Sequence, residues 1–258
     1  MFGGPAETYD RFVGRYSPAL ARAMCEHAGI VGGQRALDVG CGSGALLEAL
    51  ADTLGADKVS GIDPSDSFVD FAQARVPGAR VVVGSAESIP FGDGEFDVTL
   101  SQLVVNFLAD PEQGLREMTR VTKAVVAGCV WDYGGGMTML KTFWEAAAAL
   151  DSERATPLME QHTMRFSTPD ELASLWREAG LTDVATAPIV VEASYDDFDD
   201  LWAPFPTGVG PAGAYAASLD AVAQERLREE LRRRLDDPYG PFTLSARAWF
   251  AIGNVPDA

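Results

Sequence analysis

Two acids and three alternating glycines set the first chemical constraint on this chain. Ala36-Leu37-Asp38-Val39 reads as an apolar strand that carries an acid near its end and runs into Gly40-Cys41-Gly42-Ser43-Gly44. About 20 residues further on, Val59-Ser60-Gly61-Ile62 reads as a second strand ending in Asp63-Pro64. Glycine at alternate positions permits a tight turn whose backbone amides can touch a ligand. An acid at the second strand tip can accept hydrogen bonds from ribose hydroxyls. The pattern describes a pocket for a ribose-bearing cofactor. Asp63 can also cap a helix, since Pro64 follows it, and the two roles do not exclude each other.

Two cofactor classes compete for such a pocket. Gly40-x-Gly42-x-x-Ala45 satisfies the dinucleotide pattern of a nicotinamide-dependent oxidoreductase. A pyrophosphate, however, is best received by an uncharged, amide-rich turn at a helix N-terminus, and Asp38 at the entrance repels phosphate while favouring an ammonium or sulfonium. None of the six tyrosines is followed four residues later by lysine, so the Tyr-x-x-x-Lys pair of one large oxidoreductase class is missing. Further along come Gly84-Ser85-Ala86-Glu87-Ser88-Ile89-Pro90-Phe91, then Phe96-Asp97-Val98-Thr99-Leu100-Ser101, then Asp110-Pro111-Glu112 opening a helix. In these motifs, between residues 34 and 131, the chain resembles the class I S-adenosylmethionine-dependent methyltransferases, especially the ubiquinone/menaquinone C-methyltransferase-like branch of small-molecule enzymes.

The resemblance implies a methyl transfer from S-adenosylmethionine, leaving S-adenosylhomocysteine, to a small acceptor. It implies cofactor contacts from Asp38, Gly40, Cys41, Gly42, Gly44, Asp63, Pro64, Ser85, Ala86, Glu87 and Ser101. Ser85 stands where the family usually has Asp, which leaves the adenine contact to the Ser85 hydroxyl and the Ala86 amide; Glu87 also reads as a solvated loop acid. On the acceptor side stand Asn106, at a position where relatives often carry histidine, and Trp131, Tyr133, Trp202 and Phe205. Trp131, Trp144, Trp202 and Phe205 read equally well as core, since aromatic rings bury large areas wherever they lie. No catalytic base is established. Of the two histidines His27 lies in the opening helical region and His162 is the weak candidate, with Asp132 and Tyr133 as further polar groups. A non-catalytic S-adenosylmethionine-binding protein on the same fold is the remaining alternative.

The elements that must position these residues alternate. The patterning predicts a helical region within residues 1–30, strands over 34–39, 58–62, 80–84, 96–101 and 124–131, and helices over 44–54, 65–75 and 111–121. Such alternation demands right-handed crossovers and a doubly wound, mostly parallel sheet with helices on both faces. Pro64 and Pro111 suit first helical turns. Beyond Trp131 the pattern predicts helices at 138–150 and after Thr168-Pro169, strands at 184–191 and 244–252, and a charged helix over about 215–235. The family implies seven strands, with an antiparallel pair at the edge. The stretch 193–242 then reads as a substrate cap inserted between the last two strands of one methyltransferase domain covering 1–258.

Composition is that of a globular protein, at 47% apolar and 22% charged residues over 258. A net charge of −18 would repel phosphate backbones and anionic membranes, so the expected partner is a small molecule rather than nucleic acid or membrane. Residues 1–7 lack a basic and apolar leader pattern and no run approaches a bilayer span, so the expected compartment is the cytoplasm; oligomeric state is not readable. Cys25, Cys41 and Cys129 are odd in number and widely spaced, with no histidine cluster, which suggests neither a disulfide framework nor a metal site.

Overall fold

The computed structural model of the chain describes residues 11–256, so the part of the opening helical region before residue 11 lies outside the described residues. A 3-10 turn at Val13–Tyr16 leads into α1 (Ser17–His27), and then β1 (Ala36–Val39), α2 (Ala45–Leu54), β2 (Val59–Asp63), α3 (Asp66–Arg75), β3 (Arg80–Val83), β4 (Phe96–Gln102), α4 (Pro111–Val121) and β5 (Thr122–Trp131) follow. Next come α5 (Thr138–Leu150), α6 (Ser152–Ala155), α7 (Glu160–Thr163), α8 (Pro169–Glu178) and β6 (Thr182–Tyr195). The chain continues through α9 (Phe198–Trp202), α10 (Gly210–Ala217) and α11 (Ala221–Arg234) to β7 (Phe242–Asn254).

The seven strands lie in the order β3-β2-β1-β4-β5-β7-β6. β1 pairs in parallel with both β2 and β4, and β4 in parallel with β5, whereas β7 runs antiparallel to β5. Strand order therefore reverses between β1 and β4, where ligands gather in open α/β sheets. The doubly wound, mostly parallel sheet expected from the motifs is the sheet observed.

By internal contacts the chain forms two compact units. One holds Ser17–Trp131, Phe166–Ile189 and the chain from Ala248; the other holds the described residues up to Tyr16, Asp132–Arg165 and Val190–Arg247. Strands β6 and β7 each contribute to both. In the first unit Leu37, Val39, Ile62, Phe96, Val126 and Trp176 belong to a continuous buried core. The Trp176 indole N–H donates to the Val126 carbonyl at 3.1 Å, and the ring lies so close to Gly128 that a Cβ there would come within 3.0 Å of it.

Several element boundaries differ from the sequence-based expectation, each for a local reason. α4 passes into β5 with no intervening turn, because Thr122 spends its hydroxyl on the Met118 carbonyl (2.6 Å) and lies 2.5 Å from the Thr99 hydroxyl, ending the helix and starting the strand at one residue. Pro64 precedes the cap residue Ser65 rather than sitting in the first turn of α3. The single helix expected over 215–235 is two, since the Ser218 amide closes α10 on the Ala214 carbonyl and the Asp220 side chain caps α11 by accepting from the Ala223 amide at 2.9 Å.

Candidate functional site

In the first unit the glycine turn joins β1 to α2 and is pinned to the end of β2. The amides of Gly40 and Cys41 both donate to the Ile62 carbonyl, at 2.8 and 2.9 Å. Asp63 completes the connection: one carboxylate oxygen accepts from the Gly42 amide at 3.0 Å and the other from the Ser65 amide at 2.9 Å. The three glycines are required for different reasons. A Cβ at Gly40 would come within 2.5 Å of the Val104 side chain, and one at Gly44 within 3.1 Å of the Ala72 backbone. Gly42 has φ +50° and open space around an added Cβ, with nothing within 4 Å. It is the position in the turn where a ligand can approach the main chain.

Asp38, near the end of β1, is 1% exposed, and neither carboxylate oxygen has a hydrogen-bond partner among the described residues. Burial, then the nearby charge of Asp63, pushes its carboxyl up to about 8; the Leu47 amide, short of hydrogen-bond geometry, offsets this only in part. Burial also raises Asp63, against the opposing pull of the Ser65 and Gly42 amides. Two coupled acids therefore converge on one end of β1 and β2, an arrangement that favours a cation and a hydrogen-bond donor and resists phosphate.

The remaining residues expected at the cofactor are placed in the same unit. Ser85 donates its hydroxyl to Glu87, whose other oxygen accepts from the Ala109 amide at 3.1 Å. Burial raises the Glu87 carboxyl, but these bonds outweigh it and hold the group below its ordinary range. Ala86 packs in the core. Ser101 is buried and donates to the Val39 carbonyl at 3.0 Å, so its proton serves to tie the β4 tip to β1. Cys41 is buried against Gly61, and burial pushes its thiol up, which makes it a small packing group. Pro64 is exposed.

On the acceptor side Asn106 lies in the short 3-10 turn Val105–Phe107 after β4, and Trp131 is the buried last residue of β5. Tyr133, in the second unit, borders a cavity with Met137, Leu140, Trp144, Met159 and Glu160. Of the two readings left open for Phe205, core or substrate wall, the structure places it in core. It is fully enclosed in that unit's core, its ring stacked on Phe143 at 4.4 Å and 5°, with Trp202 half-buried and 5.8 Å away. The residues lining that cavity come from 133–161 and not from the segment around Trp202 to Gly213. His162 is exposed beside Gln161, outside the cavity lining. Asp132 is clamped by the Arg247 guanidinium (Nε 2.7 Å) and by the Gly134 amide (2.9 Å), which occupies both its oxygens. Glu160 is a buried acid as well, and nothing in Met159-Glu160-Gln161 marks its burial.

Residues 37–125 match the family described as Methyltransferase domain. A demethylmenaquinone methyltransferase of Renibacterium salmoninarum is 35% identical over 102 residues, covering 40% of this chain and 42% of that protein. Another from Geobacillus kaustophilus is 28% identical over 185 residues, covering 60% and 74%. In fold, phosphoethanolamine N-methyltransferase 2 of Haemonchus contortus, solved with S-adenosyl-L-methionine, matches 93% of this chain and 53% of its own at a TM-score of 0.57 and 17% identity. Over residues 37–125 the chain carries a methyltransferase-domain match, and it is similar there to methyltransferases. It spans between 29% and 49% of the length of five of the curated relatives it matches.

Proposed function

We propose that the chain transfers a methyl group from S-adenosylmethionine to a small, substantially apolar or aromatic acceptor. The observation that carries this reading is Asp38, a buried acid with both oxygens unpartnered beside a glycine turn. Burial without a partner holds the Asp38 proton up to about pH 8, and a cationic ligand would favour the ionised carboxylate and gain a charge-assisted contact with it; S-adenosylmethionine brings an ammonium and a sulfonium. The open space at Gly42 and the Asp63 carboxylate suit its ribose and fit the same molecule. When bound, the cofactor supplies a methyl group already activated on a sulfonium.

What remains for the chain is positioning. Asp63 would hold the ribose hydroxyls by charge-assisted hydrogen bonds while keeping the Gly42 amide in place. Holding two reactants in line is worth about 7–11 kcal/mol without any proton transfer. No general base is assigned, because Asp132 is bound by Arg247 and His162 is exposed. Kinship with demethylmenaquinone methyltransferases supports an apolar ring as acceptor, and the net charge of −18 argues against nucleic acid. The unit that contains 193–242 is assigned to acceptor recognition. Phe205 is core there, so this segment is built into the unit rather than laid over it as a removable lid.

The test is label transfer from methyl-tritiated S-adenosylmethionine to small hydroxyarenes and quinols, with tRNA and a bulk protein as competitors. Label in a small aromatic acceptor supports the reading. Label confined to tRNA or protein overturns it.

A further inference from the structure

Glu160 is the least accounted-for acid of the second unit. It opens the one-turn helix α7, is 4% exposed, and accepts a hydrogen bond from the indole N–H of Trp144 on α5. Burial pushes its carboxyl up, and its own amide, the Trp144 indole and the Ala212 amide counter that only in part. Beside it lies a cavity of about 250 Å³, walled by Tyr133, Met137, Leu140, Trp144 and Met159. At roughly 30 Å³ per water this is room for about eight waters, hence for a compact ligand and not an extended one.

The chemistry of the lining is one-sided. Lys141 and Glu145 border the cavity but are paired with each other, and Arg234 lies 3.7 Å from the other oxygen of Glu145. Their charges are mutually satisfied at the rim. Among the described residues this leaves Glu160 as a cavity acid with no cationic partner, set beside thioethers, leucine and aromatic rings. A carboxylate offers about four lone-pair sites, and its donors here, two backbone amides and one indole, are all neutral. Were Glu160 only a clamp for Trp144, a neutral amide would serve at lower desolvation cost.

We propose that this cavity binds a compact, protonated amine carried on an apolar or aromatic body, with the ammonium on Glu160 and the body against Trp144, Met137 and Leu140. Aromatic faces attract cations as well as apolar surface, and two methionines let the wall adapt to shape. The site lies within one unit and needs nothing from the glycine turn.

The experiment uses the full chain and 2-phenylethylamine as probe, with 2-phenylethanol as its neutral counterpart, followed by calorimetry and thermal shift. The amine is expected to bind saturably at millimolar concentration or below and the alcohol at least about tenfold more weakly. Glu160→Gln keeps an oxygen for the Trp144 indole but removes the charge, and is expected to weaken the amine by at least about tenfold while S-adenosylhomocysteine affinity stays unchanged. Should that variant fail to fold, Met159→Trp, which fills the cavity with Glu160 intact, is expected to abolish amine binding. Equal affinity for amine and alcohol, no amine binding at millimolar concentration, or amine affinity unchanged in the folded variants would overturn the proposal. Loss of S-adenosylhomocysteine binding with the amine site intact would count against the methyltransferase reading alone.

Discussion

Asp38 and Asp63 are both acids near strand tips, yet the structure gives them opposite circumstances. Asp63 has each oxygen on a backbone amide, so it is a fixed acceptor built into the turn. Asp38 has neither oxygen satisfied and is pushed up to about 8 by burial and by Asp63. The folded state therefore holds a proton on Asp38 that the unfolded chain releases near pH 4. Its contribution to stability is complete below pH 4 and is lost as pH rises through about 8, at a rate on the order of 1.4 kcal/mol per pH unit inside that window. Asp38→Asn is expected to remove this slope, so that the ligand-free variant gains on the parent protein between pH 5 and 8 in urea titrations. A parallel pH dependence of the two proteins would contradict the burial of an unpartnered acid. The position of Asp38 was legible in the sequence as an acid at the entrance of a glycine turn. Its lack of partners was not, because that depends on what packs around β1.

At the scale of elements, what the sequence discloses is whatever local sterics and spacing dictate. The glycine turn, α4 with Asp110 and Pro111 at its start, and α5 at 138–150 all stand where their residue types require. The helix expected over about 215–235 takes in only the end of α10 together with α11, because Ala216, Ala217 and the charged run after 220 all favour helix while Ser218-Leu219-Asp220 carries the stop and the new cap. The burial of Glu160 lay beyond local reading, and for Phe205 local reading left core and substrate wall equally open, since the burial of both follows from tertiary packing. Within the glycine turn the demands are separable by mutation. Gly42→Val puts a β-branched side chain at φ +50° and into the open space, and is expected to cost about 1–3 kcal/mol of stability and most of the S-adenosylhomocysteine affinity. Gly40→Ala instead meets Val104 and is expected to act mainly on stability. Normal affinity in a folded Gly42→Val protein would show that the ligand lies elsewhere.

For the whole molecule, the sheet order with its reversal between β1 and β4 brings the glycine turn and Asp63 to neighbouring strand ends, and the family match over 37–125 covers that region. No helix among the described residues is long and apolar enough to cross a membrane. Every residue of the second unit lies outside that match, and its buried acid and cavity correspond to no motif, which is why that unit was the less legible part. The central claim is that the turn and its two acids hold S-adenosylmethionine. Calorimetry with S-adenosylhomocysteine, in parallel with oxidised and reduced nicotinamide dinucleotides, tests it most directly on the intact chain and on Asp63→Ala. The account predicts saturable binding of S-adenosylhomocysteine, none of the dinucleotides, and a loss of at least about 1.5–3 kcal/mol in the variant, the range of a hydrogen bond to a charged group. Dinucleotide binding in place of S-adenosylhomocysteine, or an affinity unchanged in folded Asp63→Ala, would contradict it.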